Sequence, residues 1–251
     1  MRFGTIPFVN MAPYYHFLSG RWLADHEVSS GSPRQLGALA KTGKLDAAPF
    51  SYVDGLQLVE GGEFEWLGSM GIAGFGPIRS ILLVGAASAA DTTGKTVAVS
   101  PHTATTVRLL EVWLRQRHQV TDYRLAPPDD PTPLRLLIGD EALRRRLDRG
   151  GREAQVDLSA EWADWTGKPF VFARWAVRRT LPDRDKLRLA ISVRSALDLA
   201  LADLEDVARA QAERTGLPEA ELLAYLRAIR FHLGPEELAG AAAFEEKLAL
   251  L

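Results

Sequence analysis

"SPHTATTVRLLEVWL", residues 100–114, follows directly on "KTVAV", residues 95–99. The β-branched run reads as a strand, and the leucine-spaced half of the longer stretch reads as a helix. Ser100, Thr103, Thr105 and Thr106 crowd the joint between them. A helix start leaves backbone N–H groups without intrahelical partners and carries partial positive charge. Hydroxyls grouped around such donors suit a bound carboxylate or phosphate. They also suit local capping, where Ser and Thr are favoured, although one cap uses one hydroxyl. No GxxxxGK[ST] motif is present, so the joint is not a nucleotide-binding P-loop.

The same strand, polar turn and helix recur outward from this stretch. "GTIPFVN" ends on Asn10 before the helix of Pro13, and "LDAAPF" runs into Ser51. "LRLLIGD" ends on Gly139 and Asp140 before "EALRRRL". Residues at the C-terminal ends of parallel strands face the ligand crevice in open α/β sheets. Each of these polar residues is equally suited to capping the helix after it. "GFGPIRSILL" differs: its glycines and proline make a tight turn that presents Arg79 and Ser80. Arg79 suits a bidentate carboxylate pair, or a salt bridge to an acid of the C-terminal helices.

Strands alternate with helical patterns through the first 85 residues. "SPRQLGALAKTG" is a helix with Ser32 as N-cap, Pro33 at its first position and Gly43 at its end. A second such unit starts near Lys95. "SAEWADWTG" reads as a short capped helix and "PFVFARWAVRR" as a long buried strand. Everything after Pro182 reads as helix, with apolar residues at three- and four-residue spacing. The pattern predicts α/β units and a parallel-rich sheet. It predicts two lobes, one from residues 1–84 and 178–251 and one from 85–177. The crossovers fall near 81–85 and 170–177, and a cleft between lobes is a usual place for a small ligand.

Composition narrows the function. The 251 residues are 47% hydrophobic and 25% charged, enough for real cores in one large domain or two lobes. The net charge of −2 forces no face toward nucleic acid or an anionic membrane. Arg144, Arg145, Arg146, Arg149 and Arg152 alternate with acids and read as a solvated helix end. The absence of cysteine excludes thiolate nucleophiles, disulfides and Cys-ligated metals. None of the five histidines forms an HxH or HExxH pair, so no metal site is expected, and no GxSxG elbow supports a serine hydrolase. No signal peptide and no apolar run of about 18 residues is visible. The expectation is a soluble cytoplasmic protein.

Several blocks, in order, carry a resemblance. "GTIPFVNMAPYYHFL", "GSPRQLGALAKTGKLDAAPFSY", "GIAGFGPIRSILLVG", "GKTVAVSPHTATTVRLL", "LLIGDEAL", "DLSAEWADWTGKPFVFARWAVR" and "FHLGPEELAGAAAFEEKL" resemble the menaquinone biosynthesis protein MqnA family, the chorismate dehydratases of the futalosine pathway. The match runs nearly end to end. It implies an α/β, two-lobed periplasmic-binding-protein-like type II fold with an interlobe cleft. It implies a carbon–oxygen lyase that turns chorismate, a small dicarboxylate, into 3-[(1-carboxyvinyl)oxy]benzoate without a cofactor. The family's functional Asn falls on Asn10 and its catalytic Ser on Ser80. Its substrate-binding positions fall on Ser51, on the segment Ser100, Thr103, Ala104, Thr105 and Thr106, and on Gly139 and Asp140, with Arg79 as a further carboxylate partner. This sequence reads "FVN" where the family usually has "YLN", and its stretch between "APPDDPTP" and "LRLLIGD" is shorter than the family's.

Two rival readings remain at this level. The 1,4-dihydroxy-6-naphthoate synthases of the same pathway share the fold, but carry a catalytic His where this chain has Gly139, and an "SPCPND" block that it lacks. A non-catalytic solute-binding protein for a small carboxylate also fits, since fold alone does not fix function.

Overall fold

Short apolar strands alternate with helices, several of them capped by a side chain at the start. The computed structural model describes residues 1–18, 20–148 and 153–251. The chain opens with β1 (Arg2–Thr5), a 3-10 turn (Val9–Met11), α1 (Ala12–Tyr15), α2 (Gly20–Ala24) and β2 (Glu27–Ser30). It continues with α3 (Pro33–Lys41), β3 (Ala47–Ser51), α4 (Tyr52–Glu60), β4 (Phe64–Gly74) and β5 (Ile81–Val84). Next come β6 (Lys95–Val99), α5 (Thr105–Val112), β7 (Tyr123–Ala126), β8 (Leu134–Ile138) and α6 (Gly139–Asp148). Then follow β9 (Gln155–Asp157), α7 (Leu158–Thr166), β10 (Phe170–Arg178) and α8 (Asp183–Ala202). The chain closes with α9 (Leu204–Thr215), α10 (Glu219–Ala228), β11 (Ile229–His232) and α11 (Pro235–Leu248). Among the described residues no helix is long and apolar enough to cross a membrane.

Two compact units emerge. One comprises Met1–Ile72 and Ala173–Leu233, the other Ala73–Phe172 and Gly234–Leu251. The sequence reading drew its boundaries near 84/85 and 177/178 and gave all of 178–251 to the first lobe. Gly234–Leu251 packs with the second unit instead, for a local reason. Gly240 brings α11 so close to the loop before β10 that a Cβ there would lie 2.0 Å from the Pro169 carbonyl oxygen. Phe244 then meets the ring of Phe170 at 4.8 Å and that of Trp162 at 5.9 Å. The Gln116 side chain donates to the Lys247 carbonyl at 2.6 Å.

The first unit holds a six-stranded sheet in the order β11-β4-β10-β3-β1-β2. β1 runs parallel to β2 and β3, while β10 is antiparallel to β3. The α3 start is as expected: Ser32 caps it in a capping box with Gln35, and Pro33 stands in its first turn. The expectation that everything after Pro182 is helical is corrected by β11. Ile229 and Phe231 are buried while their neighbours are not, a period of two. The buried Tyr14 hydroxyl ties this strand in, lying 2.7 Å from the Gly71 carbonyl and 2.9 Å from that of Phe231.

The second unit holds a five-stranded sheet in the order β7-β6-β8-β5-β9. β6 is parallel to β7 and β8, and β5 is antiparallel to β8 and β9. Leu82, Val84, Leu137 and Ala142 form a buried cluster where α6 covers β5 and β8. β9 is too short to have shown in the sequence pattern. Of the basic cluster, Arg145 forks onto Glu153 at 2.7 and 2.8 Å; Arg149 and Arg152 lie outside the described residues.

Gly240→Leu is expected to destabilise the protein by about 1–3 kcal/mol, because neither the Pro169 backbone nor the helix can yield without moving an element. Urea unfolding of the purified variant checks this, and an unchanged midpoint would contradict the packing account.

Candidate active site

The strand directions of the second unit gather most of the candidate residues at one sheet edge. β6 and β8 are parallel, so their C-terminal ends deliver Ser100 and Gly139 to the same side. β5 is antiparallel to β8 with Ile81 opposite Ile138, so the start of β5 brings Arg79 and Ser80 to that side too. The Gly139 amide donates to the Ser80 carbonyl at 2.8 Å, and the Ser100 amide donates to the Leu136 carbonyl at 3.0 Å. Helices α5, α6 and α7 all begin at this edge, each after a strand of the sheet. Their aligned dipoles favour negative charge there.

The hydroxyls are buried: Ser80 is 1% exposed, Ser100 3%, Thr103 3%, Thr105 2% and Thr106 5%. Their local roles differ. Thr103 Oγ1 accepts from the Val107 amide at 3.3 Å, so this hydroxyl caps α5. Ser100 Oγ donates to Glu141 Oε2 at 3.3 Å. Ala104 occupies the N-cap position of α5 with no side-chain cap, and Thr105 and Thr106 form its first turn. Asp140 and Glu141 lie in the first turn of α6, where the helix dipole favours them.

Two turns at this edge are left-handed. Gly139 has φ 59° and Arg79 has φ 64°. Glycine takes that conformation without penalty, whereas Arg79 requires external support. The Arg79 amide donates to Asp157 Oδ2 at 2.6 Å. Asp157 Oδ1 accepts from the Ser159 and Ala160 amides at 3.0 and 3.2 Å, capping α7. Burial pushes the Asp157 carboxyl above its ordinary value, against the pull of backbone donors at Arg79, Ala160, Ser159 and Ile78. Its proton is therefore held more readily folded than unfolded. This group costs stability as pH rises from the ordinary carboxylate range through its raised folded value.

Asn10 and Ser51 belong to the first unit, beyond the C-terminal ends of the parallel neighbours β1 and β3. Ser51 is the N-cap of α4: its hydroxyl accepts from the Asp54 amide at 3.5 Å and donates to Asp54 Oδ2 at 3.0 Å. Asn10 sits in the 3-10 turn, and its side-chain oxygen is buried with no hydrogen-bond partner. Among the described residues this acceptor has no partner, a state that costs about 1–3 kcal/mol for a buried group. Asp157 and Glu141 were missed in the sequence. "SAEWADWTG" was read as a short capped helix; Asp157 is its cap and α7 starts at Leu158.

A menaquinone biosynthesis family model matches residues 1–249. A chorismate dehydratase from Thermus thermophilus is 30% identical over 275 residues, spanning 98% of this chain and 94% of that relative. A solved Archaeoglobus fulgidus protein superposes with a TM-score of 0.78 at 17% identity, covering 99% of this chain and 96% of that one. The periplasmic aliphatic sulphonate binding protein of Escherichia coli gives 0.67 at 17% identity, over 100% and 90% of the two chains. A Candida albicans protein with the generic periplasmic binding protein fold gives 0.71 at 9% identity, over 100% and 90%. These structures show a periplasmic-binding-protein-like fold, as the sequence resemblance implied.

Gly139→Ala is expected to lower stability by about 1–2 kcal/mol, the cost of placing a Cβ in the left-handed region. Denaturant unfolding measures the loss; a neutral result would mean that the turn is not held left-handed in solution.

Proposed function

The chain belongs to the menaquinone biosynthesis family, and from that membership we propose that it is a chorismate dehydratase. The reaction proposed is loss of water from chorismate to give 3-[(1-carboxyvinyl)oxy]benzoate, a carbon–oxygen lyase step in the cytoplasm. One ring proton leaves with the ring hydroxyl, and both together make the water released. Aromatisation of the ring drives the step. The observation that carries this reading is the match of the whole chain to the family model together with a curated chorismate dehydratase.

The residue chemistry agrees with a dianionic substrate. Ser100, Thr103, Ala104, Thr105 and Thr106 surround the start of α5, and Gly139 and Asp140 begin α6. We assign these positions, with Ser51 and Arg79, to substrate binding. Helix starts and buried hydroxyls hold carboxylates without a large positive charge. Asn10 and Ser80 are assigned to positioning the ring and polarising the departing hydroxyl; the unpartnered Asn10 oxygen, an acceptor, supports the positioning part by taking a hydrogen bond from a substrate hydroxyl. The substrate's own carboxylate is assigned as the proton acceptor. Such a reaction depends on placement, and orientation alone supplies roughly 7–11 kcal/mol.

Incubation of the purified protein with chorismate is expected to consume it and yield an aromatic product of the stated mass. Persistence of chorismate would reject the reading in favour of a binding protein. Asn10→Ala and Ser80→Ala are each expected to lower kcat at least about tenfold, the loss of roughly one hydrogen bond made in the transition state. Turnover near that of the unaltered protein would remove them from the reaction.

A further inference from the structure

Ser80 is preceded by a residue whose backbone is held in an unfavourable conformation. Arg79 has φ 64° without being glycine. A left-handed residue of this kind costs about 1–2 kcal/mol and persists only where its surroundings over-determine it. Two contacts supply that determination. Downstream, the Ser80 carbonyl accepts from Gly139, fixing the residue after the turn. Upstream, the Arg79 amide is gripped by Asp157 Oδ2 at 2.6 Å. That grip is itself rigid. Asp157 ends β9, which pairs with β5 so that Asp157 stands opposite Leu82. Its second oxygen is fixed by the first turn of α7.

Burying a carboxylate costs free energy unless its oxygens are well supplied with donors. Here one oxygen serves α7 and the other serves the turn. Capping alone needs one acceptor oxygen. The second is therefore free to do something else, and it holds the residue before Ser80. We infer that Asp157 is a positioning residue: it clamps the left-handed Arg79 turn and so fixes where Ser80 presents its hydroxyl. The inference rests on the assignment of Ser80 to the dehydration of chorismate. Asp157 touches no substrate and acts on Ser80 through the backbone amides of the turn, those of Arg79 and Ile78.

Asp157→Asn in the full chain separates the two oxygens. Asparagine is a good N-cap, so its side-chain oxygen keeps α7 while its NH2 faces the Arg79 amide and cannot accept from it. The expected result is a fall in kcat for chorismate of at least about tenfold, with KM changed less than about threefold. Hydrogen–deuterium exchange at the Arg79 amide is expected to quicken in the variant, while the α7 amides keep their protection. Asp157→Ala loses the cap as well, and is expected to unfold at lower urea than Asp157→Asn. Unchanged Arg79 exchange in Asp157→Asn overturns the inference. So does an unchanged kcat, provided the unaltered protein turns chorismate over. An unaltered protein inert toward chorismate, with the Arg79 amide released by Asp157→Asn, sinks the substrate reading and leaves the clamp standing. Should both variants fail to fold, the unaltered protein still decides: rapid exchange of its Arg79 amide overturns the clamp.

Discussion

The antiparallel pairing of β5 with β8, closed at one end by the Gly139 amide on the Ser80 carbonyl, is the constraint on which the candidate site depends. It joins two turns that are far apart in the chain and leaves each in a left-handed conformation. Because β6 lies on the other side of β8 in parallel, the same register brings Ser100 and the start of α5 to that edge. One ladder thus fixes three strand ends. A slip of one residue would break the Gly139-to-Ser80 closure and displace Ser80 from its place beside Gly139.

The electrostatics of that edge come from helix starts together with Arg79. Three helices start there, and the dipole of each places partial positive charge at the edge. The protein itself answers part of this with Asp140, Glu141 and Asp157. The remaining donors and the buried hydroxyls stay suited to anions, in keeping with a chain of net charge −2 that handles a carboxylate. The hydroxyls are not equivalent. Thr103 and Ser51 serve helix starts directly, whereas Ser80 is placed by its neighbours through the main chain.

Much of this was legible in the residues because its causes are local. The capping box of Ser32 with Gln35 and the strand-to-helix joints at Ser51, Ser100 and Gly139 each rest on residues within a few positions of one another. β11 escaped because four residues of alternation are hidden behind the helical spacing of α10. β9 escaped because three residues make no pattern at all. Asp157 went unread, since nothing near it in the chain reveals that Arg79 needs a partner.

The sequence by itself determined the alternation of strands and capped helices, the absence of thiol chemistry, and the family, because these depend on residue identity and short spacing. Only the tertiary structure decided that α11 joins the second unit, that Arg79 bends left-handed, and that Asp157 holds it. Those outcomes come from close approach between residues distant in the chain: Gly240 against the Pro169 carbonyl, and one half-buried carboxylate shared between a helix start and a turn. Such contacts are set by sheet register and packing, and a linear pattern carries no record of them.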